Sequence, residues 1–430
     1  MSNLLAATAS AAVTSVTSLP QRLRLGNDLT VIFREHGAAD VAAVQLWVRA
    51  GARDESENES GLSHFIEHLL FKGTPTRGPG VIDRTISALG GEMNAATSQD
   101  FTYYHVVLPT RHLDTALDVI ADAAMNASFE AAELERERLV VLEEIRRSQD
   151  SPSGYLWRIL SRHHFAGHAY GRDVLGTPAT IGGAPRERVV DYYRRHYVPN
   201  DAAVVVIGNL DAAEALVRVR AAFGGWEPRP LPVRSHIPPP GLSAVERVEE
   251  PRPLQQAYLG FAWRGPTVPS PDVYAADLLA SVLGRGRASR LYQGLKEQRG
   301  LVSTVGASFY AQREAGTFSV TARAEAGRSR DVEAALLEEV ERVRRAPVEV
   351  EELARALTAV EAGYAFGHET AEGVAYSYGL AETIWTLEFE LGYLDEVRKV
   401  TRDRIRDAAA CYLAPDRFTS AVLTPDGGPA

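Results

Sequence analysis

Residues 64–74 read HFIEHLLFKGT, and the first five carry two histidines and a glutamate within an apolar segment. His64 and His68 are four residues apart, so on a helix they project from one face. Two neutral imidazoles on one face can each donate a nitrogen to a single Zn²⁺. Glu67 lies at the rim of that face, where its carboxylate can serve a water molecule. Because unpaired ionisable groups are costly among apolar neighbours, the pattern predicts a zinc site rather than polar surface.

A catalytic zinc site also needs a third protein ligand. A helix is expected over residues 131–147, where Glu137 and Glu144 are two turns apart and share one face. For Glu133 and Glu135 we prefer solvated ion pairs with neighbouring arginines. Spacing alone does not choose between two adjacent glutamates as the ligand. The candidates on this helix are Glu133, Glu135, Glu137, Glu143 and Glu144.

Three segments resemble the pitrilysin or insulinase-type zinc peptidases, which include the mitochondrial processing peptidase β subunit. They are HFIEHLLFKGT (64–74), GGEMNAATSQDFTYY (90–104) and ERLVVLEEIRRSQDSP (137–152). The inverted order H-x-x-E-H gives this group the name inverzincins. The resemblance continues weakly along the whole chain. It implies one Zn²⁺ per chain, held by His64, His68 and Glu144, with Glu137 supporting a ligand histidine through a hydrogen bond.

These ligands imply hydrolysis of peptide bonds. Zinc lowers the pKa of a bound water toward about 7. Glu67 would take the proton from this water and later deliver it to the leaving amine, as a general base and acid. No serine or cysteine nucleophile is required.

A substrate-binding segment is expected at Gly90–Thr102. In similar enzymes this is an edge strand along which the substrate lies as an added strand, bound through its backbone. Asn94 would bond to the substrate backbone, Ala95 and Ala96 present small side chains, and Phe71 would line a pocket near the metal. The alternative interpretation of this segment is an ordinary hairpin strand.

Composition narrows the class of protein. The chain has 430 residues, a formal net charge of −10 and 45% hydrophobic residues, which argues for two or more domains and against a generic nucleic-acid binder. A single cysteine, Cys411, excludes an internal disulfide framework. No apolar run approaches the roughly 20 residues of a membrane span. We expect a cytoplasmic protein in which Met1–Ser18 is a flexible lead-in.

The chain is expected to be built twice around the proline-rich stretch WEPRPLPVRSHIPPPG (226–241). Alternating strands are predicted on both sides of it, at 43–49 and 256–263. The predicted fold is α+β: two homologous sandwiches of helices on a mostly antiparallel sheet, together one half of a clamshell. We expect a catalytic domain at 1–225, a linker at 226–246 and a homologous domain at 247–430. The second copy of the metal helix, YAADLLASVL (274–283), has neither histidine nor glutamate.

Two other motifs are interpreted as structural. The basic segment GRGRASR (284–290) lacks the spacing of a phosphate-binding loop and follows an expected helix. The group His163, His164 and His168 could mimic a metal cluster, but no acidic ligand is expected nearby.

Residues of the second half indicate whether the chain acts with a partner chain. Relatives carry there an Arg and a Tyr that reach the substrate across a closed chamber; this chain keeps Arg299 but has Ser303 in place of the tyrosine. We therefore expect a zinc-bearing subunit that pairs with a homologous zinc-less chain, with a homodimer as the alternative. The predicted activity is cleavage of unstructured peptides. Alternatives are a dedicated processing peptidase for one precursor, such as a ribosomally made cofactor precursor, and a non-catalytic scaffold subunit.

Overall fold

A six-stranded sheet forms the centre of the first half. The computed structural model describes residues 19–234 and 237–426, so the expected lead-in Met1–Ser18 lies outside the described residues. The strands are β1 (Gln21–Arg24), β2 (Thr30–Glu35), β3 (Val41–Val48), β4 (Glu92–Thr97), β5 (Thr102–Pro109) and β6 (Ala202–Gly208). Their order is β1-β2-β6-β3-β5-β4, and every neighbouring pair is antiparallel except β2 with β6.

The second half repeats this sheet with five strands. They are β7 (Glu246–Arg252), β8 (Ala257–Gly265), β9 (Val302–Tyr310), β10 (Gly316–Ala324) and β11 (Thr419–Pro425). Their order, β7-β11-β8-β10-β9, matches β2-β6-β3-β5-β4, and again only the first pair is parallel. The prediction of two homologous α+β units with mostly antiparallel sheets is therefore confirmed.

Helices cover both sheets. Those of the first half are α1 (Leu62–Leu70), α2 (Val81–Ala88), α3 (Leu113–Asn126), α4 (Ala131–Asp150), α5 (Pro152–His164), α6 (Pro178–Gly182), α7 (Arg186–His196) and α8 (Ala212–Phe223). Those of the second are α9 (Asp272–Gly284), a π-helical segment (Tyr292–Gln298), α10 (Ser329–Arg345), α11 (Val350–Gly367), α12 (Ala371–Ile384), α13 (Leu387–Val397) and α14 (Arg402–Tyr412). Across the described ranges, no helix combines the length and apolar character needed to cross a membrane.

Each half lends one helix to the sheet of the other half. On the near face of the first sheet, Val44 and Leu46 pack against helices of the same half, among them α1. The far face, with Ala43 and Trp47, packs instead under α12 from the second half. Because both of its faces are covered, β3 is buried along almost its whole length.

The exchange is reciprocal. Helix α5 leaves the first half and places Leu156, Ile159 and Leu160 on the far face of the second sheet, against Ala262 and Leu423. Burying such apolar faces is favourable at about 25 cal/mol per Å². The two halves therefore share their hydrophobic cores.

A buried ionic cluster lies where the two halves meet. Arg53 donates to Asp100 at 3.0 Å and to Glu314 of the second half at 2.6 Å. His168 lies 2.9 Å from the same glutamate, and Tyr170 donates to Asp100 at 2.9 Å. The side chains of Arg53, Asp100, His168 and Glu314 are at most 7% exposed. Because each buried charge has a partner, the cluster fixes the turn between β4 and β5 against the second half.

The proline-rich stretch contains neither helix nor strand in its described parts, 226–234 and 237–241. Asn200 accepts a hydrogen bond from the backbone N–H of Arg229, and Arg234 pairs with Asp54 and Asp201. The segment is thus held against the first half. The domain boundaries at 225 and 246 stay predictions.

The exchanged helix supplies the first testable prediction. A Cβ on Gly379 of α12 would overlap Nε1 of Trp47, a side chain that is fully buried and donates to Gln45. We expect Gly379→Ala to lower the free energy of unfolding by about 1–3 kcal/mol, since neither group can move away. Urea denaturation of the purified protein measures this change.

The matched control is Gly392→Ala, also inside a helix, where a Cβ would meet no atom within 4 Å. That substitution should be neutral or stabilising by up to about 1 kcal/mol, because alanine favours the helix. Equal stability of the two variants would contradict the close packing of α12 on Trp47.

Candidate metal centre

Helix α1 is held at its start and along its buried face. Phe65, Ile66 and Leu69 are buried in the core of the first half. At the start of the helix, the buried carboxylate of Glu55 accepts hydrogen bonds from the backbone N–H groups of Gly61 (2.7 Å) and Ser63 (2.8 Å). These N–H groups have no partner within the helix, so Glu55 satisfies them in the manner of a cap.

Three potential metal ligands converge between α1 and α4. The Nε2 atoms of His64 and His68 lie 3.6 and 3.4 Å from Oε2 of Glu144. The two rings meet edge to face with their centroids 4.7 Å apart. One ligand atom from each of the three residues lies within 4.8 Å of the other two. The structure thus brings together the three residues that the sequence predicts as ligands.

The donor set fits a zinc ion. Burial, and then the neighbouring His68, lowers the pKa of His64 to about 4, so its ring is neutral at neutral pH and can offer a lone pair. Nδ1 of His64 is buried without a hydrogen-bond partner among the described residues. Two neutral imidazoles and one carboxylate are a usual protein ligand set for catalytic zinc.

Glu137 lies behind the ligands on the same face of α4. Its carboxylate is 3.3 Å from Nδ1 of His68, on the side of the ring away from Glu144, and accepts from Lys72 at 2.8 Å. This is the geometry of a carboxylate that orients a ligand histidine. Glu143 points elsewhere and pairs with Arg146 and Arg147 at the surface.

The two glutamates at the start of α4 behave differently from each other. Glu135 is exposed and pairs with Arg138, as expected. Glu133 pairs with Arg136 but is itself buried, so the expectation of a solvated Glu133 was wrong. Its position one turn before Glu137 places it on the inner face of the helix.

Glu67 lies beside the converging ligands and is oriented by the edge strand. Thr97, the last residue of β4, donates its hydroxyl to Oε2 of Glu67 at 2.7 Å. Burial raises the pKa of Glu67 above its ordinary value, and the hydrogen bond from Thr97 partly opposes that rise. A carboxylate with a raised pKa is suited to take up and release a proton near neutral pH.

The expected substrate-binding residues fall into two groups. Asn94, Ala95 and Ala96 lie on β4, which is an edge strand of the first sheet. Asn94 is exposed, and its side chain accepts a hydrogen bond from the N–H of Ala95. Phe71 is instead buried in the core, edge to face with Tyr104 at 5.5 Å. The binding roles of all four stay predictions.

The three histidines at 163, 164 and 168 make contacts between the two halves. His163 lies 2.7 Å from Glu246, His164 lies 3.2 Å from Thr419, and His168 contacts Glu314. Acidic residues therefore do lie near His163 and His168, which corrects the expectation from sequence. They come from the distant second half and differ from one histidine to the next, so the structural interpretation stands.

The residues of the second half that were singled out from the sequence make local contacts. In the basic segment 284–290, Arg290 pairs with Glu352 at 2.6 Å. Arg299 pairs with Glu338 of α10 at 2.6 Å. Ser303 lies exposed on the edge strand β9, where its backbone carbonyl accepts from Lys296 at 2.7 Å.

Sequence reasoning missed Thr97, Glu55 and Lys72. Thr97 falls inside the predicted edge strand. Side chains alternate along a strand, so the side on which Thr97 lies could be assigned only once the bounds of β4 were known. Glu55 and Lys72 lie just outside the two ends of α1, where a carboxylate before a helix and a lysine after it are weak signals.

Zinc affinity tests the ligand assignment. We expect Glu144→Gln to lose more affinity than the roughly 10–100-fold expected for Glu137→Gln, because the first removes a ligand and the second only its support. Glu143→Gln should keep the affinity of the parent protein. Competition titration with a zinc chelator measures all three; loss of zinc by Glu143→Gln alone would reverse the assignment.

Comparisons with known proteins identify the family of this chain. The family description "Insulinase (Peptidase family M16)" matches residues 30–178, and "Peptidase M16 inactive domain" matches residues 184–360. An uncharacterized zinc protease of Streptomyces coelicolor is 30% identical, over 91% of this chain and 86% of its own length. Another, from Mycobacterium tuberculosis, is 30% identical over 95% of this chain and 94% of its own.

The fold is found in solved structures as well. A protease from Helicobacter pylori superposes with a TM-score of 0.90 at 22% identity, covering 95% of this chain and all of that one. Its likeness shows the fold alone. On the sequence relationships, the chain belongs to the pitrilysin or insulinase-type peptidases, family M16, in their half-length form.

Proposed function

We propose that this chain is a zinc endopeptidase that hydrolyses unstructured peptides. The observation that carries the proposal is the convergence of His64, His68 and Glu144 next to Glu67, a carboxylate held by Thr97. The zinc proteases among its relatives support it. A non-catalytic scaffold would have no need of three ligands and a separately oriented base.

Each residue has a distinct task in this proposal. His64, His68 and Glu144 hold one zinc ion, and Glu137 keeps the ring of His68 in place. Bound zinc supplies a Lewis acid, which polarises a carbonyl and acidifies water. Glu67 accepts the water proton on its carboxylate and returns it to the departing amine nitrogen. Thr97 fixes the carboxylate through Oε2, and therefore the direction of this proton transfer.

The edge strand β4 is the proposed substrate-binding element. Within the part of the chain that the structure describes, no strand pairs with its outer edge. An extended peptide could pair there through backbone hydrogen bonds, which give affinity with little dependence on sequence. Since Thr97 of this strand also holds Glu67, a peptide on β4 would lie beside the proposed base.

The proposed assembly is a heterodimer with a homologous zinc-less chain, each forming half of a closed chamber. The motive is Ser303, which stands on β9 at a position where the family resemblance leads us to expect a tyrosine. A homodimer is the competing assembly. A dedicated processing peptidase for one precursor would use the same site, so it differs from this proposal in substrate range. The cytoplasmic location stays a prediction.

Hydrolysis of a flexible peptide tests the role of Glu67. Glu67→Gln should retain one zinc per chain and lose about 10²–10⁴ in rate, because it removes a proton acceptor and not a ligand. The readouts are metal analysis and cleavage of an internally quenched peptide. Glu143→Gln is the matched control. It makes the same chemical change on a side chain that pairs with Arg146 at the surface and takes no part in the site.

If the Glu67→Gln variant cleaves the peptide at the wild-type rate, the role of Glu67 as the base is refuted. A wild-type protein that holds zinc but cleaves no peptide, with or without its partner, would favour the scaffold alternative.

The assembly gives a further prediction. The isolated chain should cleave peptides far below the median enzyme rate of about 10 s⁻¹, and a co-purified homologous chain should restore activity. Ser303→Tyr should give a modest gain in the isolated chain. Light scattering and peptide cleavage, measured together, decide this; rapid cleavage by the pure chain would exclude the need for a partner.

A further inference from the structure

The two faces of the edge strand lead to different surroundings. Side chains alternate along a strand, and directly paired residues share a face. Ala95 pairs with Tyr104 on the near face, in the core beneath α1, and Thr97 reaches Glu67 on that face. Ala96 pairs with Tyr103 on the far face, where α12 from the second half packs.

On the far face, three tyrosines form a partly exposed cluster, named here the tyrosine patch: Tyr103, Tyr310 and Tyr376. Tyr103 stacks on the buried Trp47 with ring centroids 4.6 Å apart, and Tyr376 meets Tyr103 edge to face at 5.4 Å. Tyr376 is 39% exposed and Tyr310 is 45% exposed. Tyr310, at the end of β9, lies near Tyr376 and near Ser98 in the turn after β4.

The patch lies next to the free edge of β4. Ala96 of β4 pairs with Tyr103 of the patch, and both residues are partly exposed. A residue added opposite Ala96 by a peptide strand would direct its side chain to this same face. Exposed aromatic rings at a strand edge are a surface on which an apolar side chain gains free energy.

We infer that the tyrosine patch is a specificity subsite for an apolar, preferably aromatic, side chain of the peptide residue that pairs opposite Ala96. This inference rests on the proposed function, because it takes β4 as the substrate-binding strand. The next residues of the peptide on either side would face the zinc. Selection would therefore act on a residue whose side chain points away from the reacting atoms.

The far face also limits the preference to one position. Two residues along β4, Asn94 pairs with His105, which lies 3.0 Å from the half-exposed carboxylate of Glu372. A peptide side chain opposite Asn94 meets these polar groups in place of tyrosine rings. An apolar preference opposite Ala96 should consequently be absent two residues further along the peptide.

Peptide binding to zinc-loaded Glu67→Gln protein tests the subsite without turnover. A flexible alanine-rich peptide, labelled for fluorescence anisotropy, carries a single Phe that is moved through every position. We expect one far-face position at which Phe tightens binding by about tenfold, as partial burial of an aromatic ring provides. With Tyr376→Ala added, the Phe advantage at this position should fall to twofold or less.

Two control variants separate the subsite from general damage. Tyr376→Phe keeps the ring and should keep the preference. Phe366→Ala removes an aromatic ring that is 75% exposed on α11, outside the patch, and should also keep it. If no position of Phe responds to Tyr376→Ala, the inference is overturned. The same holds if Tyr376→Ala changes assembly with a partner chain and leaves peptide binding unaltered.

The outcomes for the subsite and for the proposed function are distinguishable. Tyr376-dependent selection by a protein whose wild-type form never hydrolyses the peptide would support the subsite and refute the peptidase. Hydrolysis of all scanned peptides at equal rates would support the peptidase and refute the subsite.

Discussion

The rest of the structure depends on the mutual covering of two sheet faces. Each half has enough helices to bury one face of its sheet, and the other face is apolar too. Helix α12 covers the first sheet at Trp47, and α5 covers the second, where Gly260 lets Leu156 and Leu160 approach the strand. Because neither face can be left in water at low cost, the two halves have a fixed relative position. The edge strands β4 and β9 are therefore also fixed relative to each other.

The candidate site makes use of this rigidity. Glu67 is oriented by Thr97, Thr97 ends β4, and the turn after β4 contains Asp100, which is buried with Arg53 and Glu314 where the halves meet. Removing one partner of a buried ion pair typically costs about 3–5 kcal/mol, because the remaining charge is left buried without compensation. Among the described residues, the second half contributes nothing to the cluster of potential metal ligands, yet it helps to place the proposed base and supplies two rings of the tyrosine patch.

Much of the site could be predicted from local spacing, because His64, Glu67 and His68 lie on one helix and their geometry follows from its period. The strand patterns at 43–49 and 256–263 were recognisable for the same reason. Glu144 could not be separated from Glu143 by spacing, since the choice depends on how α4 is rotated against α1. The contact between His168 and Glu314 could not be predicted either, because the two residues are 146 positions apart in the sequence. The helix exchange was equally invisible, because an apolar helix face does not reveal which sheet it covers.

The shared covering also bears on what holds the two halves together. A single half, with one helix extended toward its neighbour and one bare sheet face, would lack a complete core in isolation. Because α5 and α12 cover the sheets of the opposite halves, the halves are joined by packing as well as by the proline-rich stretch. Cutting that stretch would therefore leave the two fragments packed together by these helices.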